Sequence, residues 1–193
     1  MRIVMKRIIV LLSIFLFINL GQSCRTEHYI ISDIRFSLAE VKEDNYNDKT
    51  QIVYICTSTV KDNLVFVISY FTEFVAQNSF DFGNACYALT LDKEIDNPLL
   101  EQTFSINFNK PFAYNGVEIA ELTNVFEIEE IRDEIDIYEN YMTFCGMSAD
   151  KVIDFSQEFF AKTTFEKAEY EVTFSCQTSD GIAFLKTITI VFE

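Results

Sequence analysis

Between Tyr170 and Phe192 apolar and polar residues alternate twice, and no other feature restricts the fold as much. Tyr170, Val172, Phe174 and Cys176 take every second position up to Gln177-Thr178-Ser179-Asp180-Gly181, and Ile182, Phe184, Lys186, Ile188, Ile190 and Phe192 alternate back. A period of two sends alternate side chains to one face of a strand, and Asp-Gly is turn chemistry, so the segment reads as a hairpin with one buried face. The pattern recurs upstream. Ile30, Ser32, Ile34, Phe36 and Leu38 fall on one side of a strand, and Thr103–Phe108 places Phe104, Ile106 and Phe108 together before Asn109-Lys110-Pro111 breaks it. Gln51–Val60 and Leu64–Val75 are long β-branched and aromatic runs separated by Lys61-Asp62-Asn63, which predicts a second hairpin, and Cys86–Leu91 is a further short strand. The expected fold class is mainly β: an antiparallel β-sandwich, immunoglobulin-like, with one or two short helices, after an N-terminal signal helix.

Two stretches depart from this pattern. Ile128, Ile131, Ile135, Tyr138 and Met142 recur at spacings of three and four with acids between them, the pattern of an amphipathic helix with an acidic face. Ile135 and Ile137, with Phe126 and Ile128, also alternate as a strand would, so residues 126–142 carry both readings. Ser148 is placed to cap a second helix over Ala149–Phe160.

The N-terminus reads as an export signal. Arg2, Lys6 and Arg7 precede an apolar stretch from Ile8 to Leu20, and Gly21, Gln22 and Ser23 lead into Cys24. That stretch is shorter than the roughly 20 residues a bilayer span needs. Leu20-Gly21-Gln22-Ser23-Cys24 resembles the lipobox of bacterial lipoproteins, in which the cysteine is acylated and becomes the new N-terminus; here the leucine stands one residue further back than usual. An ordinary cleaved secretory signal and an uncleaved anchor are the alternatives. The expected organisation is a signal peptide over residues 1–23, a tether over 24–29 reaching about 16 Å at roughly 3.3 Å per residue, and a single sandwich domain over 30–193.

Cleavage would remove three of the 15 basic residues and none of the 30 acidic ones, leaving 12 against 30 and a net charge of −18. Such a surface repels phosphate, so nucleic acid is a poor partner, and with no basic cluster the domain would not lie flat on anionic lipid. The expected membrane contact is the lipid on Cys24, in the outer membrane, facing the periplasm or the cell surface.

Residues suited to catalysis are few. His28 is the only histidine and falls in the tether, where it reads as a solvated linker residue; the common histidine-based hydrolytic schemes therefore have little to work with. Cys56, Cys86, Cys145 and Cys176 are far apart in sequence, which excludes Cys-x-x-Cys redox and zinc spacing. Export permits disulfides among them, and buried thiols are the other reading. Glycoside hydrolysis needs two carboxylates about 5 to 10 Å apart, but nothing selects a pair from 30 acids. The acidic run Glu127–Glu139 lacks the turn that points several oxygens at calcium, and no glycine-rich loop offers a phosphate seat. No metal, cofactor or catalytic residue is therefore assigned. The 20 Phe and nine Tyr read chiefly as core, with Tyr70-Phe71, Phe159-Phe160 and the group Phe80, Phe82 and Tyr87 as candidates for an exposed binding patch.

Asn84-Ala85-Cys86-Tyr87-Ala88, the Phe104-Ser105-Ile106 strand, the Glu121-Leu122-Thr123-Asn124 step and the closing Asp180-Gly181 hairpin together resemble a family of uncharacterised Bacteroidota lipoproteins. The acidic stretch Glu127–Glu139 departs from that family. The resemblance implies an envelope location and an all-β domain, and it carries over no activity. The expected function is a cell-envelope lipoprotein serving as a non-enzymatic binding or assembly module for a protein or glycan ligand. An envelope glycan hydrolase using a carboxylate pair, or a cation-responsive adhesion module, is the alternative.

Overall fold

The computed structural model describes residues 27–46, 49–61, 63–75, 93–139, 143–144 and 147–193. In chain order the strands are β1 (Glu27–Tyr46), β2 (Lys49–Cys56), β3 (Thr59–Val60), β4 (Leu64–Phe74), β5 (Lys93–Ile95), β6 (Ser105–Phe108), β7 (Phe112–Tyr114), β8 (Val117–Ile119), β9 (Ile135–Glu139), β10 (Thr143–Phe144), β11 (Met147–Ser148), β12 (Lys151–Phe155), β13 (Thr163–Thr164), β14 (Glu169–Gln177) and β15 (Ala183–Phe192). Short α-helices run over Glu129–Arg132 and Gln157–Lys162. The fold is mainly β, an antiparallel sandwich. One sheet has the order β2-β1-β4-β12-β9 and the other β3-β15-β14-β6.

The chain divides into two compact units, Met1–Ile30 with Glu73–Asp96, and Ile31–Thr72 with Asn97–Glu193. In the first, Glu27–Tyr29 of β1 run parallel to Lys93–Ile95 of β5. In place of a free tether, these three residues are already strand. His28 lies with its Nδ1 2.7 Å from Asp96 Oδ1, so it is paired and is not a loose linker residue. That carboxylate holds the imidazole above its ordinary value of 6.5.

The second unit carries the sandwich core. β14 and β15 form the closing hairpin in the register the alternation implies: Tyr170, Val172, Phe174 and Cys176 are buried on β14, opposite buried Phe184, Ile190 and Phe192. Phe36 of β1 links the sheets, its ring 4.8 Å from that of Phe66 and 4.9 Å from that of Phe174. At the other end Phe165 stacks on Phe192 at 3.9 Å and meets Tyr170 edge-on. The residues from Leu64 to Ile68 in β4 are all buried, because a central strand with both faces covered reads as a continuous apolar run. Its second face joins a cluster of Ala39, Val65, Val67, Ala149 and Val152.

Three expectations are corrected. Gln51–Val60 and Leu64–Val75 do not pair as a hairpin. β2 pairs with β1, β3 crosses to the other sheet and runs parallel to β15, and β4 pairs with β12. Residues 126–142 are not one helix: Val125–Glu127 is a 3-10 turn capped by Asn124, one α-turn follows, and Ile135–Glu139 is a strand laid antiparallel against β12. The capping serine of the second helix is Ser156, whose Oγ accepts from Phe159 N at 3.0 Å, and not Ser148, which lies in β11. The segment between them, Val152-Ile153-Asp154-Phe155, is β-branched and aromatic, and it is drawn into the sheet. Cys86–Leu91 lies outside the described residues.

Candidate functional site

The lateral side of the sandwich where β1 between Ile31 and Ala39 and β15 before Val191 have no outer strand partner among the described residues is the most distinctive surface of the second unit. Thr178 and Phe192 N–H groups bond to Ile182 and Ala168 carbonyls, which sets the even-numbered residues of β15 toward β14. In an antiparallel ladder each residue directs its N–H and C=O to the same side, so Ala183, Leu185, Thr187 and Thr189 direct theirs away from β14. The Val191 N–H, in the same series, donates to Ser58 O at 2.7 Å, where β3 occupies that edge. β3 covers only Val191 and Phe192; among the described residues nothing pairs with the edge from Ala183 to Thr189.

β2 ends its pairing with β1 at Cys56 opposite Ala39, and the chain then leaves for β15 through Thr57 and Ser58. The departure opens a groove of about 560 Å³ bordered by Arg35 and Ser37 of β1, Ser58 of the crossover, and Ile188 and Thr189 of β15. A smaller recess of about 290 Å³ continues past Thr57 to Thr59, Lys61 and Glu193. Two residues before Arg35 and two before Ile188, Asp33 and Lys186 pair with Nζ 2.7 Å from Oδ1, and the lysine holds that carboxyl below the ordinary aspartate value. Hydroxyls, backbone groups and a guanidinium line this side, a set suited to hydrogen bonding.

The outer face beside this edge has its own chemistry. Leu185 is 68 % exposed there. Four residues along, Thr189 sits opposite Glu171 and Val191 opposite Glu169; both glutamates are exposed. Between them Thr173 and Thr187 join hydroxyl to hydroxyl at 3.0 Å.

The residues singled out from sequence do not converge here. Cys24 lies outside the described residues, as do Cys86 and Cys145. Cys56, beside the groove, is disulfide-bonded. Cys176 is a free thiol buried on the inner face of β14, where burial pushes it up to about 12 and keeps it protonated. It belongs to the core and not to a disulfide. Phe159 is buried and Phe71 exposed, and Phe80, Phe82 and Tyr87 lie outside the described residues. Among the described residues no three His, Cys, Asp or Glu side chains gather as a metal site, and no helix is long and apolar enough to cross a membrane.

One carboxylate pair does face across strands: Asp154 of β12 opposite Asp136 of β9. Asp154 is half-buried, and burial together with the Asp136 charge raises its carboxyl above the ordinary value. The pair borders neither the groove nor the recess. The open edge was missed from sequence because it depends on which strand goes unpaired. Its one local signal is Lys186, a charge at an inward position of an alternating strand, a device that guards edges.

No family model matches the chain, and no curated protein or solved structure shows a significant similarity to it.

Proposed function

We propose that the chain is a cell-envelope lipoprotein, anchored in the outer membrane through Cys24, whose sandwich is a non-enzymatic binding or assembly module. The observation that carries the binding role is the edge of β15 left unpaired among the described residues, beside a polar groove, a surface built to make hydrogen bonds. The order of the leader, with basic residues, an apolar stretch and small residues before Cys24, supports the anchor. The disulfide at Cys56 supports an oxidising compartment, and the net charge of the processed chain favours a domain standing off the lipid surface. Palmitate labelling of the expressed full chain tests the anchor. Wild type is expected to take up label and sediment with membranes, and Cys24→Ala to lose the label and turn soluble; membrane partitioning unchanged in Cys24→Ala overturns it.

The Asp136 and Asp154 pair favours a second reading, hydrolysis of an envelope glycan. Directly opposed residues have Cβ atoms about 4.5–5.5 Å apart, close to the separation used by retaining glycosidases. Reducing ends released from peptidoglycan by wild type, and lost in both Asp136→Asn and Asp154→Asn, would establish it. Release equal to that of a buffer blank removes it.

A further inference from the structure

We infer that the open edge of β15 from Ala183 to Thr189 receives an extended, basic peptide strand of another protein, with an apolar and a basic residue four positions apart on its outward face. The inference rests on the binding-module reading and names its partner class.

Strand addition needs unpaired backbone groups in strand geometry. Ala183, Leu185, Thr187 and Thr189 supply an N–H and a C=O each, over about 20 Å at roughly 3.4 Å per residue. β3 shows that this edge accepts a strand, since it already pairs at Val191 and Phe192. At its Thr189 end the edge borders the groove at Ile188 and Thr189.

Side chains select which strand. On the outer face an added residue beside Leu185 meets an apolar side chain, Leu185 being 68 % exposed. An added residue beside Thr189 looks across that short side chain to Glu171, about 10 Å away at two strand spacings, within reach of lysine or arginine. Glu169 lies next in line, opposite Val191. Leu185 and Thr189 are four residues apart, so the incoming strand needs its apolar and basic residues at the same separation.

Charge separates this occupant from a second copy of the chain. With 30 acidic residues against 15 basic, two copies repel. An edge-to-edge pair of β15 strands would also bring the glutamates of both copies to one surface. A basic strand relieves both.

The test uses fluorescein-labelled nonapeptides of alternating threonine and valine that carry isoleucine and lysine four positions apart, in both orders, with glutamate counterparts. Anisotropy with the wild-type chain is expected to show binding of a lysine peptide that weakens in high salt, and about tenfold weaker binding of its glutamate counterpart, a difference of about 1.4 kcal/mol. Thr187→Pro removes an N–H that points away from β14, so the hairpin keeps its ladder while binding is expected to fall about tenfold. Thr187→Val, which keeps that N–H, is expected to bind as wild type does. Glu171→Lys disturbs no backbone bond and is expected to abolish the preference for lysine over glutamate, which keeps the proposal testable should the proline variant misfold. Lysine and glutamate peptides bound equally, binding unaffected by Thr187→Pro, or a peptide-free dimer in sedimentation that Thr187→Pro dissolves would each overturn it. A chain that takes up palmitate at Cys24 yet ignores every peptide overturns the strand partner alone and leaves the anchor standing.

Discussion

Phe36 is the residue through which the two sheets hold each other. It stacks on Phe66 within its own sheet and on Phe174 across the sandwich, and each contact adds to the apolar area it removes from water. Phe36→Ala would leave a ring-sized void between rigid sheets that cannot close over it, and is expected to cost about 3–5 kcal/mol in urea unfolding. A loss under about 1 kcal/mol would mean the rings repack. Asp154 shows the opposite case, a residue the fold holds at a cost. Burial and the facing Asp136 raise its carboxyl above the ordinary 3.8. Above the raised value it is ionised in both states, and the folded state carries the penalty. As pH falls through the raised value the folded carboxyl takes a proton before the unfolded chain does, and relief is complete below about the ordinary value. Asp154→Asn should therefore stabilise at pH 7 by about 0.2–1 kcal/mol, the range for opposed like charges, and this advantage should shrink toward acid. Thermal melts of both chains between pH 7 and pH 4 check it; an advantage constant across that range would refute the pairing.

Local signals settled a pairing only where a clear turn stands between two long alternating runs. The β14 and β15 hairpin was legible because its turn, from Thr178 to Gly181, lies between two alternating runs that bury the same face. β2, β3 and β4 were legible as strands but not as partners: β2 pairs back with β1, β3 with β15 and β4 with β12, and nothing in a run of β-branched residues names its partner. The Asn115-Gly116 turn joins strands of only three residues, too short for alternation to register. Both turn residues have positive φ, 52° and 76°, as the tight hairpin between Tyr114 and Val117 requires. Over residues 126–142 the isoleucines fit either period, and pairing of Ile135–Glu139 with β12 decides for strand after one helical turn. Ser156 is the best test of an element made by its cap. Its Oγ accepts from Phe159 N and donates to Glu134 Oε2 at 2.5 Å, and Glu134 also takes Lys162 at 2.5 Å. Lys162 and Ser156 hold the Glu134 carboxyl below its ordinary value. Ser156→Ala is expected to cost about 1 kcal/mol. The Glu134 contribution is present above the ordinary glutamate value, 4.5, and is lost as pH falls through the lowered one. Urea unfolding of Ser156→Ala at pH 7 with no change in midpoint would show that the helix does not depend on its cap.

For the molecule as a whole, the open side of the sandwich has to stay available without drawing in other copies of the chain. A strand edge whose four N–H groups find no partner among the described residues is a template for association, and Leu185 adds an exposed apolar side chain beside it. Two features oppose self-pairing. Net charge acts over the whole surface, and it weakens with salt. Lys186 acts at the edge itself: it occupies an inward position between Phe184 and Ile188 and reaches out to Asp33. In an edge-to-edge pair of β15 strands each copy would bring its own inward ammonium to the shared surface, so that two like charges would be desolvated together. Lys186→Leu removes the constraint while improving the apolar match to its neighbours, and Asp33 lies on an exposed stretch of β1 where water can serve it. The variant is therefore expected to fold with a melting temperature no lower than that of wild type, and to form dimers and larger species that grow with concentration and salt. Lys186→Arg, which keeps a cation in place, is expected to remain monomeric. Sedimentation velocity across concentration separates the outcomes. Were Lys186→Leu to stay monomeric at high salt, neither the lysine nor net charge would be what keeps the β15 edge from pairing with itself.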